Sequence, residues 1–326
     1  MPHYPRLGQK TTFVAFCSCY YNDMIERFKQ GKLLWINMKT PSPVEVKKVM
    51  KELDIPPQLM TDLTTVVPKN TVQRIDGTVK LTIDFPTIKR VGADHQFEIK
   101  FFISKSTLLT VQYEEMEGVD RFKRQFEVAM TLRKAQKHMN GGHIFLSLFN
   151  NLYESASTKL DYIESQLSTI EAEIFRNNEK QMVAEIANTS KRLIAFRHVL
   201  RGHEDIFRDL DSALAHIFND AFVNDMKMLQ HQFLLLRHRA QTQYETLEAL
   251  RDTNAAMLYT KQNEIMKLFT IMAFTTFPLT LFSSIFGMNT QNTPLIGHTF
   301  DFWIIISVMI SAAICFFAFF KHKSWI

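Results

Sequence analysis

The sequence predicts an α+β domain followed by long helices and a C-terminal two-helix transmembrane hairpin. Three observations carry that expectation. Strand-like alternation is confined to residues 1–117. From Gly118 onward the apolar residues follow the helical period almost without a break. No Asp, Glu, Lys or Arg occurs from Leu268 through Phe300, in a chain that is 46% hydrophobic and 22% charged overall. The expected units are an α/β domain at 1–117, a helical region with a long stalk helix at 118–266, and a hairpin with a short tail at 267–326.

In the first unit, Thr11–Cys17, Lys32–Met38, Thr78–Phe85, Gln96–Ile103 and Thr107–Gln112 alternate or are rich in β-formers, which makes them the expected strands. Ser42-Pro43-Val44-Glu45 is a helix start: Ser42 can cap, Pro43 suits the first turn, and Glu45 completes a capping box. Pro56-Pro57 is expected to stop that helix. Beyond Gly118, Gly141-Gly142 and "RNNEK" (Arg176 to Lys180) are the clearest interruptions. Between Ala221 and Phe286 there is no Gly, and Pro278 is the only Pro. That allows one continuous helix of roughly 100 Å, long enough to carry a movement into a bilayer.

Leu268 to Phe286 and Phe302 to Phe320 are each nineteen residues without a charge. At about 1.5 Å per residue each reaches roughly 28 Å, close to the hydrocarbon thickness of a membrane. Lys261 and Lys267 precede the first span, Lys321, His322 and Lys323 follow the second, and the loop from Gly287 to Asp301 has no Lys or Arg. Positive residues stay inside, so both termini are expected in the cytosol and the loop outside. Trp303 and Trp325 suit the interfacial belt. The N-terminus "MPHYPRLGQK" has no apolar core or Arg/Ser-rich amphipathic pattern, so no leader is expected from it.

The first span carries Thr270, Thr275, Thr276, Thr280, Ser283 and Ser284 and has Pro278 in its middle, which a lipid-facing anchor would not need. Met266, Phe269, Ala273, Phe277, Thr280, Ser284 and Gly287 fall at spacings of three and four, on one face. Such a seam fits helix–helix packing or the lining of a conduit. One hairpin cannot enclose a pore, so a conduit requires several copies in a ring.

Other function classes find little support. The net charge of +5 is spread among acids with no dense basic block, which argues against nucleic acid and for a solvated or lipid-facing basic surface. Cys17, Cys19 and Cys315 make no disulfide framework and lack zinc spacing. No GxGxxG, Walker lysine loop, GxSxG or HExxH appears, so no enzyme and no cofactor are expected. His198, His203, His231 and His238 read as surface or satisfied helix residues.

Gly287-Met288-Asn289 directly after the first span, with "NEIMKLFTIMAFTTFPLTLFSSIFGMN" (Asn263 to Asn289) and the tail "KHKSWI", resembles the CorA family of divalent-cation channels. "WINMKTPSPVEVKKVMKELDIP" and "YIESQLSTIEAEIF" resemble its cytosolic part more loosely. The resemblance implies a homopentamer in a bacterial inner membrane, its partners being further copies of itself, the lipid bilayer and divalent cations. The first span would line the pore and the long helix would form a cytosolic funnel. Asn289 would be the outer ring that meets the ion; Gly287 and Thr280 would be polar pore positions. Phe277, Phe269 and Met266 would be apolar constrictions, with Asn263 and Asp252 further down. Mg²⁺ would be the transported ion and a regulator, with a regulatory acid approximately at Asp225.

The chemistry suits those types. Mg²⁺ dehydrates reluctantly, so an entry site should accept the hydrated ion. Asn amide oxygens can hydrogen-bond its waters without the deep well that several carboxylates make. Gly287 permits a turn and close backbone approach. Phe277 stands where the family commonly has Met, and Phe286 replaces the usual Tyr. "TQNTPLIG" lacks the family's loop acid, leaving Asp301 as the loop's only one. Met288 favours Mg²⁺, with Co²⁺ and Ni²⁺ as further cargo, over a zinc transporter of the same superfamily. A membrane-anchored scaffold that conducts nothing is the rival of a different class.

Overall fold

The computed structural model describes residues 25–65, 70–75, 77–86, 96–131, 139–288 and 300–323. The expected strand Thr11–Cys17, Asn289 and Trp325 lie outside them. The chain packs as two compact units: one is residues up to Ile170 with Ala184–Glu248, the other Glu171–Val183 with Ala249–Ile326.

In the first unit a six-stranded sheet has the order β1-β2-β6-β5-β4-β3. Its strands are β1 (Ile25–Gln30), β2 (Leu33–Lys39), β3 (Thr71–Ile75), β4 (Thr78–Pro86), β5 (Gln96–Ile103) and β6 (Thr107–Gln112). Among the described strands only β2 and β6 pair in parallel. The crossover between them contains α1 (Pro43–Glu52) and the short α2 (Met60–Thr64). As expected, Ser42 caps α1 with a reciprocal Glu45 box and Pro43 in the first turn. The stop differs from expectation: α1 ends at Glu52, four residues before Pro56, where Asp54 takes a left-handed φ of 54°. A tight turn, not the prolines, ends the helix.

The sheet has two different faces. Ile25, Ile36, Met38, Leu109 and Val111 pack beneath Val46, Val49 and Met50 of α1. Trp35 on the opposite face stacks with Phe28 and meets Phe122 and Phe126 of α3 (Glu117–Thr131). Phe85 and Phe101 meet Phe149 of α4 (Gly141–Phe175). Gly141 is required there, because a Cβ would sit 2.2 Å from the Ser104 carbonyl oxygen. Beneath α2 the sheet is polar. Lys80 pairs with Asp62, while the Lys100 ammonium lies 3.0 Å from Glu98 and bonds the carbonyls of Asp62 and Thr65. Burial lowers the Lys100 pKa, against the pull of Glu98.

A buried histidine ties the sheet to α5 (Glu179–Ala215). His203 Nε2 lies 2.5 Å from the Asp84 carbonyl and Nδ1 2.9 Å from the Tyr153 hydroxyl. A carbonyl only accepts, so Nε2 carries the proton and Nδ1 accepts from Tyr153. Burial pushes His203 down to about 4, partly opposed by the Asp84 carbonyl. Burial also pushes Asp84 up to about 6, with Glu98 across the strand adding and His198 opposing.

These two shifts have opposite linkage. Between pH 6.5 and 4 the unfolded chain protonates its histidine while folded His203 stays neutral, so acidification destabilises the fold. Between about 6 and 3.8 folded Asp84 takes a proton that the unfolded chain does not, so acidification stabilises it. Wild-type stability should therefore vary little between pH 6 and 4 on account of this pair. Asp84→Asn should expose the His203 slope in thermal melts, a loss of up to about 3 kcal/mol on acidification. His203→Phe should reverse the slope.

Candidate functional site

The longest element is α6, Asp220–Phe286, 67 residues of unbroken helix with Pro278 inside. Its length follows from the absence of Gly across Ala221–Phe286. It is separated from α5 by a break at His216–Asn219 that neither Gly nor Pro announces. There the Asn219 side chain accepts from the Phe222 N–H at 3.3 Å, and Phe218 stacks on Phe222 at 4.4 Å. The second apolar helix, α7, runs Asp301–His322, a residue or two longer at each end than the expected span. Both helices are long and apolar enough to cross a membrane.

These spans leave their apolar side chains uncovered within the chain: of the most apolar stretch, 6% is buried in α6 and none in α7. Phe277 is 72% exposed, and Met266, Phe269, Phe274 and Leu281 are exposed as well. Ile271 of α6 and Phe320 of α7 are the span residues that are buried. A continuous apolar surface of this kind needs lipid or further protein around it.

At about 100° per residue, Asp252, Asn263, Met266, Phe269, Ala273, Phe277, Thr280, Ser284 and Gly287 fall within an arc of about 120°. All but Ala273 are exposed. The expected positions thus lie along one uncovered stripe of one helix, while Asn289 lies outside the described residues. Gly287 does not take a left-handed φ; the described glycines that do are Gly31 and Gly77. Its N–H donates to the Ser283 carbonyl at 2.9 Å, and a Cβ would stand 3.0 Å from that oxygen. Smallness, rather than a left-handed turn, is what the position uses.

The threonines of the span share one arrangement. Thr270, Thr275, Thr276 and Thr280 each donate their hydroxyl to the carbonyl four residues earlier, at 2.7 to 2.9 Å. Each hydroxyl hydrogen is thereby engaged, and the oxygen presents lone pairs outward. Thr280 is exposed on the stripe, so its acceptor positions face outward there. Pro278 has no N–H to give the Phe274 carbonyl, which leaves that oxygen without its helical partner.

Just before the stripe enters the span, the α4–α5 turn meets α6. Lys261 Nζ lies 2.6 Å from Glu179 Oε2 and donates to the Asn177 carbonyl at 3.4 Å. Asn177 itself holds a left-handed φ of 68°. Glu179 is only 1% exposed, and its bond from Lys261 holds the carboxyl below the usual range. Its contribution is present above about pH 4.5 and lost as pH falls through the depressed value. Glu179→Gln should therefore lower the melting temperature at pH 7, and the gap from wild type should close below pH 4.5. No sequence period could have linked two residues this far apart; Lys261 reads only as a flanking charge.

Asp225 is exposed near the start of α6 and lines an open cavity of about 500 Å³ with His143, Asn150 and Gln232. His143 already serves its own helix: Asn140 Oδ1 accepts the His143 N–H at 3.0 Å and the ring returns to the Asn140 N–H at 3.4 Å. Among the described residues no three His, Cys, Asp or Glu side chains gather to hold a metal.

Comparison with known proteins gives a consistent result. The profile of the family described as CorA-like Mg2+ transporter protein matches residues 30–322. The Cobalt/magnesium transport protein CorA of Methanocaldococcus jannaschii is 21% identical over 301 residues, covering 92% of this chain and 93% of its own. The Magnesium transport protein CorA of Helicobacter pylori is 23% identical over 304 residues, covering 91% and 92%. The solved structure of the complete CorA magnesium transporter from M. jannaschii superposes with a TM-score of 0.80 at 20% identity, over 92% of this chain and 93% of that one.

Proposed function

The chain belongs to the CorA-like Mg2+ transporter family, and from that premise we propose that it forms a homopentameric Mg²⁺ channel lined by the exposed stripe of α6. It is a divalent-cation membrane transporter and not an enzyme. The observation that carries the finer reading is the stripe itself. Asp252 through Gly287 lie along one uncovered face of a single helix, and a ring of copies would turn that face into a conduit.

In this reading Asn289 of each copy meets the hydrated ion, and its amide oxygen accepts hydrogen bonds from the ion's water shell. Gly287 and Thr280 continue the polar path; the hydroxyl of Thr280, engaged with Thr276, offers acceptors only. Phe277, Phe269 and Met266 are apolar rings that exclude water unless the diameter widens. Asn263 and Asp252 then receive the ion on the cytosolic side. Both termini lie in the cytosol, so the membrane potential drives a dication inward by about 4.6 kcal/mol per 100 mV. Intracellular Mg²⁺ regulates the channel, with Asp225 as the candidate acid on α6.

The test is influx of Mg²⁺, Co²⁺, Ni²⁺ and Zn²⁺ into liposomes holding the purified protein, with native mass measurement of the oligomer. Saturable Mg²⁺ influx by a pentamer is expected. Preferred Zn²⁺ influx would assign the chain to zinc transport instead. An inserted oligomer that passes no ion would be a scaffold.

A further inference from the structure

An apolar groove of about 630 Å³ runs between α6 and α7, lined by Phe274, Ala312, Cys315, Phe316, Phe319 and Phe320. Its volume falls in the range of about 300–1,000 Å³ typical of ligand clefts. The α7 positions advance by three and four, so they form one stripe. Cys315 and Phe319 are exposed, which leaves the groove open at its side.

The end of the groove is strongly basic. Lys321, His322 and Lys323 follow Phe320 directly and are all exposed. Ala312 lies nine residues from Lys321, about 13 Å along the helix. One leaflet of hydrocarbon is about 15 Å deep. The groove therefore starts at a cationic rim at headgroup level and extends as an apolar wall for nearly the depth of one leaflet. That combination matches an amphiphile with a negative head and a long apolar tail. A second copy of the span would match the wall, but from Leu268 through Phe300 it carries no acid for the lysines.

We propose that this groove binds an anionic phospholipid of the cytosolic leaflet, one acyl chain lying along Phe274, Cys315 and Phe319 and the phosphate held by Lys321 and Lys323. Basic pockets between transmembrane helices on that side are suited to such headgroups. The inference rests on the membrane insertion and orientation proposed above, though not on conduction.

The test uses the full-length oligomer in detergent, titrated with dioleoyl phosphatidylglycerol or dioleoyl phosphatidylcholine and followed by native mass spectrometry. Phosphatidylglycerol should be retained in preference, up to one per chain. Lys321→Gln with Lys323→Gln should cut its retention about fivefold and leave phosphatidylcholine unchanged. Cys315→Trp, which fills the groove, should cut both lipids about tenfold. Should that variant misfold, Ala312→Phe fills the deeper end and should act in the same direction. In a Cys17→Ser, Cys19→Ser background, phosphatidylglycerol should also slow maleimide labelling of Cys315.

Equal retention of the two lipids by wild type would overturn the proposal. So would unchanged phosphatidylglycerol binding in the filled-groove variants, and a loss of subunits in those variants would then assign the groove to a neighbouring copy. Selective lipid binding by a protein that passes no Mg²⁺ would sustain this proposal while refuting the channel.

Discussion

Asn289→Ala is expected to reduce Mg²⁺ influx into proteoliposomes by about tenfold or more, with the oligomer intact. A hydrogen bond to a charged species contributes about 1.5–3 kcal/mol, and about 1.4 kcal/mol suffices for a tenfold change in rate. In a ring every copy loses its amide together, so the first binding step for the hydrated ion weakens at once. The surroundings offer little to replace it: the 290–300 segment contains no acid, and Asp301 opens α7. Asn289→Asp makes the complementary case. A ring of carboxylates should lower the concentration of half-maximal influx and also lower the maximal rate, because an ion held more tightly leaves more slowly. Equal influx by wild type and Asn289→Ala would remove Asn289 from the entry site.

The parts of the fold legible in the sequence are those governed by period and by residue type. The length of α6 followed from a run without Gly, and β5 and β6 matched the expected residues because β5 largely alternates and β6 is rich in β-formers. The strands β1 and β3 are not legible in the sequence, for a physical reason. Both are edge strands: "IERFKQ" buries Ile25 and Phe28 on opposite faces, and "TVQRI" mixes half-buried and exposed positions, so neither has a continuous apolar side. The polar sheet face beneath α2 was hidden as well, since buried Lys80 and Lys100 look like surface residues until Asp62 and Glu98 are brought to them. The stripe on α6 was legible because helical spacing alone defines it. What lay beyond the sequence was the docking of Glu179 on Lys261 and the groove between α6 and α7, both products of chain folding.

Phe277→Gln is expected to raise influx under closed conditions, with millimolar Mg²⁺ on both sides and a tracer ion outside, by about tenfold. Phe277 is exposed on the stripe, three residues from the acceptor oxygen of Thr280. In a ring, five phenyl groups would make a short apolar collar in which water has few partners, and a hydrated ion would have to shed interactions to pass. Replacing each ring by an amide restores those partners; relief of about 1–2 kcal/mol at the barrier is the scale of a polar group regaining a hydrogen bond. Glutamine is a good helix former, so the segment leading into Pro278 should remain helical. Phe277→Leu separates dewetting from bulk. An apolar but smaller side chain should leave closed-state influx low while raising influx modestly when the cytosolic side is free of Mg²⁺. Met266→Gln, at about the same angle three turns lower on α6, tests a second collar. If only one of the two glutamine variants leaks, the barrier resides at that ring. If neither leaks, neither of these two rings holds the gate, and closure would then depend on Phe269 or on the polar positions Asn263 and Asp252 at the cytosolic end.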